Sequence, residues 1–207
     1  MTFLRRKGIS ATGLLSGILI GTMLSLPLPA RASGMSELPD LAGNTPADRA
    51  QFLEKTRRVA TAIVIGHGSR TLWVYFNPDC SYCHRLWEAL SGVSDLTVLW
   101  IPVAFSLKPS SLARSAAILA AKDPPAALAD NENHFSDLLE EGGYPVSGPI
   151  DTKAQEAVTQ NTMMLKLWTG KIATPTILYR DTRGRVQESV GLPADIPAML
   201  ETIAPAP

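Results

Sequence analysis

The chain has 207 residues, 19 Lys and Arg against 19 Asp and Glu, and 45% apolar residues. It carries no basic block of the kind that binds phosphate backbones, which argues against nucleic acid as a partner. It has ample apolar content to bury a core.

The N-terminus reads Arg5-Arg6-Lys7, then an apolar run from about Ile9 to Leu28, then Ala30-Arg31-Ala32. A basic start, an apolar centre and a small-x-small end are the marks of a signal peptide, so residues 1–32 are expected to be removed near Ala32 on export. The alternative is a retained membrane anchor, since the apolar run nearly spans a bilayer. Its glycines and prolines favour export. The mature chain, about 175 residues, is one domain's worth, and it keeps 15 basic against 19 acidic residues, a net charge of about −4.

Residues 33–70 read as a lead-in. Its first part, to Asn44, is small and polar. Thr45-Pro46-Ala47-Asp48 then supplies an N-cap, a proline at the first helical position and an early acid, so a helix is expected from Pro46 to about Arg57. Val59 to Ile65 is β-branched and predicts a strand that ends at Gly66, and His67 falls in the turn that follows.

Residues 71–207 carry the main pattern. Leu72 to Phe76 is nearly continuous in apolar residues, as in a strand covered on both faces, and Leu96 to Val103 reads as a second strand. Between them, Cys83, Leu86, Trp87 and Leu90 fall at helical spacing, with Asp79 expected to cap that helix. From residue 108 to 170 the pattern is helical: Ser111 to Ala121, a short helix opened by Asp123-Pro124, a Gly/Pro-rich loop, and Asp151 to about Trp168. This insert is expected to form a lid or subdomain, with Met163, Met164, Leu165, Leu167 and Trp168 either packed in the core or lining a groove. Thr174-Pro175 opens a further strand to Tyr179, Asp181 to Gly184 is a turn, Val186 to Val190 alternates, and a last helix follows Pro193. The order β-α-β, helical insert, β-β-α is that of a thioredoxin-like α/β fold.

The two cysteines of the chain, Cys80 and Cys83, lie between the first of these strands and its helix. One structural disulfide is the simplest reading of an exported cysteine pair. A loop closed over two residues constrains little of the unfolded chain, so redox or metal chemistry is favoured instead. A thiol at a helix start meets unpaired N–H groups and the positive end of the dipole, which favour thiolate. Cys80 is therefore the candidate nucleophile and Cys83 its resolving partner. Asp79 beside it places an unfavourable charge next to a thiolate. Two other chemistries share the pattern: Cys80-Ser81-Tyr82-Cys83-His84 also spells a c-type haem attachment motif, and the two cysteines with His67 or His134 would make a thin metal site. The favoured reading needs neither metal nor other cofactor.

Cys80-Ser81-Tyr82-Cys83-His84 after an apolar strand, Ala116 to Pro124, and Thr174-Pro175 followed by Val190-Gly191-Leu192-Pro193 together resemble the catalytic domain of the periplasmic DsbC/DsbG thiol-disulfide proteins, on the DsbG side of that family. The resemblance covers about Thr71 to Ile203. It implies that Pro175 is cis and faces the cysteine pair, that the Thr174 backbone meets an extended substrate, and that Ser81, Tyr82 and His84 tune the thiols. It also implies periplasmic client proteins with disulfides or oxidised cysteines, sulfenic acids included, and a DsbD-like membrane reductant. Family members carry an N-terminal dimerisation domain and linker helix, whereas about forty residues, 33–70, precede the first catalytic strand here. The Pro46 to Arg57 helix is then the counterpart of the linker, and a monomer is expected, with a dimer the open alternative.

Overall fold

The structure is a computed structural model that describes residues 45–106 and 108–206. The expected signal peptide, its expected cleavage near Ala32 and the first part of the lead-in lie outside the described residues. Thr45 begins the fold as N-cap of α1 (Pro46–Val59), and its side chain and that of Asp48 complete a reciprocal capping box. This helix runs two residues past the expected end, which takes Val59 out of the predicted strand. Only Ile63–Gly66 pairs, as β1.

Then follow β2 (Arg70–Phe76), α2 (Ser81–Leu90), β3 (Leu96–Pro102), α3 (Pro109–Leu119), α4 (Pro124–Asn133), α5 (Thr152–Thr169), β4 (Thr176–Arg180), β5 (Val186–Val190) and α6 (Ile196–Thr202). The sheet order is β1-β3-β2-β4-β5. β2 and β3 run parallel, as a strand pair joined by a crossover helix must, and the other pairings are antiparallel. β2 is thus the central strand, and its side chains alternate between two cores. Leu72, Val74 and Phe76 pack with Leu86 of α2, Trp100 and Leu128, while Tyr75 packs on the opposite side with Phe52, Leu165 and Trp168.

The lead-in and the insert are both built into this sandwich. Phe52 of α1 lies between the rings of Tyr75 and Trp168, with centroids 5.6 Å away on each side, and β1 pairs with β3. The helix is therefore part of the domain where a linker was expected. From the insert, α4 gives Leu128 to one core and α5 gives Met164, Leu165 and Trp168 to the other. These helices are core walls, not a lid set apart from the sheet. Of the five apolar residues near the end of α5, Met163 and Leu167 alone are exposed. The hairpin between β4 and β5 turns at Asp181 to Gly184, where Gly184 takes a positive φ of 76° and Asp181 Oδ1 accepts the N–H groups of Arg183 and Arg185.

Phe52→Ala tests whether α1 belongs to the domain. Removing a buried aromatic from between two others costs about 3–5 kcal/mol, read as a lower midpoint of urea unfolding with an unchanged slope. A midpoint indistinguishable from wild type would show that α1 is an appendage.

Candidate active site

The site begins where β2 stops. Asn77 is fully buried, and its amide donates to Val103 O at 2.8 Å and to Ser111 Oγ, while its Oδ1 accepts from Asp79 N at 2.9 Å. Its carbonyl accepts from Cys80 N at 3.1 Å. These bonds turn the chain sharply out of the sheet and deliver Cys80 to the N-cap position of α2, where no side-chain cap bond is made. The sulfur occupies the place in which a Ser or Asp oxygen ordinarily meets the free N–H groups of the first turn.

Asp79, expected to cap α2, does something else. Its carboxylate is buried and points toward the insert, where Oδ1 accepts from Arg114 Nε at 2.6 Å and Gly142 N at 3.1 Å, and Oδ2 accepts from Ser110 Oγ at 3.0 Å. Arg114 also donates to Tyr144 O at 2.6 Å and lies 3.4 Å from Glu141. A guanidinium and two further donors compensate a buried carboxylate far better than one helix N–H would. The negative charge beside Cys80 is thereby matched by a cation. The sequence does hold a signal for it: Arg114 is the one charged residue of α3, amid small and apolar neighbours.

The two cysteines differ sharply in setting, Cys80 half-buried and Cys83 buried. Cys80 is partly exposed, and its thiol donates to Thr174 O at 3.6 Å. Its pKa is lowered from 9.0 to about 6, first by the hydrogen bond from the Cys83 thiol, against the opposing effect of burial, then by Thr174 and by the N–H groups of Cys83 and Tyr82. The Thr174 hydroxyl is buried and makes no hydrogen bond of ordinary geometry. Cys83 is 1% exposed, and burial pushes its thiol well above the usual range. The Thr174-Pro175 bond is cis.

His84 leads to a residue that pattern reading missed. Its Nδ1 lies 3.0 Å from Glu132 Oε2, its Nε2 3.7 Å from Glu88, and its ring is stacked on Phe135 at 4.6 Å. Glu132 is 3% exposed on α4, and its other oxygen accepts from Asn131 Nδ2, which also donates to Pro78 O. Burial raises its carboxyl from 4.5 to about 7, His84 and Asn131 pull it back, and the charge on Cys80 adds to the rise. Ser81 opens α2, and Tyr82 is exposed beneath the Arg85 guanidinium.

The geometry bears on the two rival chemistries. Attachment of haem requires both sulfurs at the surface, whereas Cys83 is enclosed in the core and His84 is already engaged. His134 is exposed and pairs with Asp130, and among the described residues no three His, Cys, Asp or Glu side chains gather as metal ligands do.

Glu132 gives the site a measurable pH dependence. Its folded pKa lies above its unfolded value, so the folded state holds the proton more tightly. That contribution is complete below pH 4.5 and is lost as pH climbs through about 7. The unfolding free energy of wild type should therefore fall by up to about 3 kcal/mol across this window relative to Glu132→Gln. Parallel stability curves for the two proteins from pH 4 to 8 would show that Glu132 does not titrate in that range.

No family model matches the chain. Two curated proteins do: the thiol:disulfide interchange protein DsbG of Pseudomonas aeruginosa, 31% identical over 132 residues, and that of Escherichia coli, 30% identical over 127 residues. These matches take in 60% and 59% of this chain and 47% and 48% of the relatives, so the chain spans about half the length of the curated proteins it resembles. Among solved structures, a disulfide interchange protein from Neisseria gonorrhoeae matches with a TM-score of 0.51 at 24% identity, over 68% of this chain and 91% of that one. The chain thus has a thioredoxin-like fold and is similar in sequence to part of the thiol:disulfide interchange protein DsbG.

Proposed function

We propose that the protein is an exported thiol-disulfide oxidoreductase that acts on protein disulfides in the periplasm through Cys80 and Cys83. The observation that carries this reading is the contrast between the two sulfurs. Cys80 is reachable and favours the thiolate near neutral pH, while Cys83 sits enclosed behind it and keeps its proton. That is the arrangement of an attacking and a resolving thiol.

The Cys80 thiolate attacks one sulfur of a client disulfide along the S–S axis. A bond forms between Cys80 and that sulfur, and the second client sulfur departs as a thiolate. Two exits follow. Cys83, losing its proton to solvent or to the leaving thiolate, attacks Cys80, so that the Cys80-Cys83 disulfide forms and the client leaves as a dithiol two electrons richer. In the other exit a client thiol attacks its own mixed-disulfide sulfur and releases Cys80, which is isomerisation with no net electron transfer. A sulfenic acid on a single client cysteine yields to the same nucleophile, with water as the leaving group. The closeness of the Thr174 carbonyl to Cys80, 3.6 Å, supports a role for that backbone in meeting an extended client segment. A DsbD-like membrane dithiol is the reductant this cycle needs, and the signal-peptide pattern of residues 1–32 supports the compartment.

Cys83→Ser should accumulate mixed disulfides with client proteins in cells, visible as thiol-sensitive adducts on gels, and Cys80→Ser should not. The reverse pattern would overturn the assignment of roles. Alkylation gives a second check. Iodoacetamide should modify Cys80 of the reduced protein with a midpoint near pH 6, and in Cys83→Ala that midpoint should move up, since the Cys83 thiol is the main donor to the thiolate. A midpoint left unmoved by the substitution would place the source of the acidity elsewhere.

A further inference from the structure

Residues 135–142 leave α4 as a short finger whose two ends grip the residues on either side of the CxxC. At one root, Phe135 lies flat on the His84 ring, 7° from parallel. At the other, Gly142 N donates to Asp79 at 3.1 Å and Glu141 approaches Arg114. The finger closes on itself through Ser136 N to Glu141 O at 2.8 Å and Glu141 N to Ser136 O at 3.2 Å, with Leu139 N on Ser136 Oγ at 3.3 Å. At its tip stand Leu138 and Leu139, 91% and 65% exposed.

A single exposed leucine needs no explanation. Two in succession, on a tip braced by its own hydrogen bonds and anchored to both flanks of a reactive cysteine, are different. The finger is held to His84 on one side of the CxxC and to Asp79 on the other, so its uncovered leucines are carried by the same segments that carry Cys80.

We propose that this finger docks clients: Leu138 and Leu139 hold an apolar, cationic segment of an unfolded polypeptide while Cys80 attacks its disulfide. The inference rests on the thiol-disulfide reading above. Charge selects the occupant. Asp137 and Glu140 flank the leucines beside Lys108, whose ammonium donates to Glu140 O, while Glu141 is paired with Arg114 at 3.4 Å, so the tip keeps a mild excess of negative charge. Such a rim repels an anionic bilayer and suits a segment rich in Lys or Arg. Two leucines are also far too small a patch for a stable dimer, which buries roughly 1,200 Å² or more.

The test compares two substrates for wild type and the Leu138→Ser/Leu139→Ser double variant, with dithiothreitol as electron donor. One is glutathione disulfide, which has no apolar segment for the finger to hold. The other is an unfolded basic protein with a single disulfide. The variant should reduce glutathione disulfide at the wild-type rate and lose about tenfold in kcat/KM on the protein, carried by KM. Wild-type turnover of glutathione disulfide separates a failure of the finger from a failure of the underlying reading. Equal effects on the two substrates, or none on either, would overturn the proposal. So would a wild-type dimer that the variant dissolves in sedimentation, or wild-type flotation with anionic vesicles that the variant abolishes.

Discussion

The buried bridge between Asp79 and Arg114 is the constraint on which the site depends. A carboxylate taken out of water must be paired, and removing one partner of such a pair costs about 3–5 kcal/mol, because the other charge is left uncompensated. Here the carboxylate sits next to Cys80 in the chain and its partners come from α3 and from the loop after α4. The helical insert is therefore bound to the CxxC by a requirement of charge as well as by apolar packing. Arg114 extends the tie to Tyr144 and Glu141, so that the chain around residues 141–144 is held against the start of α2.

With that scaffold fixed, two identical side chains acquire opposite chemistry from where they stand. Cys80, at the N-cap, meets N–H groups and the Cys83 thiol, and these outweigh the cost of its partial burial. Cys83, one turn on and facing the core with Leu86 and Leu90, meets mainly burial. The hydrogen bond between them works in both directions. It stabilises the charge on one sulfur and fixes the proton on the other, which is the contrast behind the proposed roles of attacker and resolver.

Much of this was legible in the sequence because it is local. Thr45-Pro46 and Asp151 announce their helices through capping chemistry that needs only neighbours, and Leu72 to Phe76 shows its double burial by lacking polar residues. Asp79 was misread for the same reason. An acid just before a helix is by local rules a cap, and only the arrival of Arg114, 35 residues later, offers it a stronger partner. Glu132 escaped notice because its significance lies in burial against His84, 48 residues away. Val59 was lost to the strand because α1, secured by its capping box and by the stacked Phe52, carries on through it.

Glu132 and Cys80 also limit each other. Burial raises the carboxyl to about 7 and the hydrogen-bond donors lower the thiol to about 6, so both titrate in the same narrow interval, and each charge opposes the other. The thiolate gains when the carboxyl keeps its proton. Once Cys80 enters a disulfide its charge is gone, and the carboxyl is freer to ionise. His84, the residue after the CxxC, thus touches a buried acid whose proton is held mainly by burial, with the charge on Cys80 a lesser contribution. A helix remote in sequence from the cysteines brings that acid to their side of the fold.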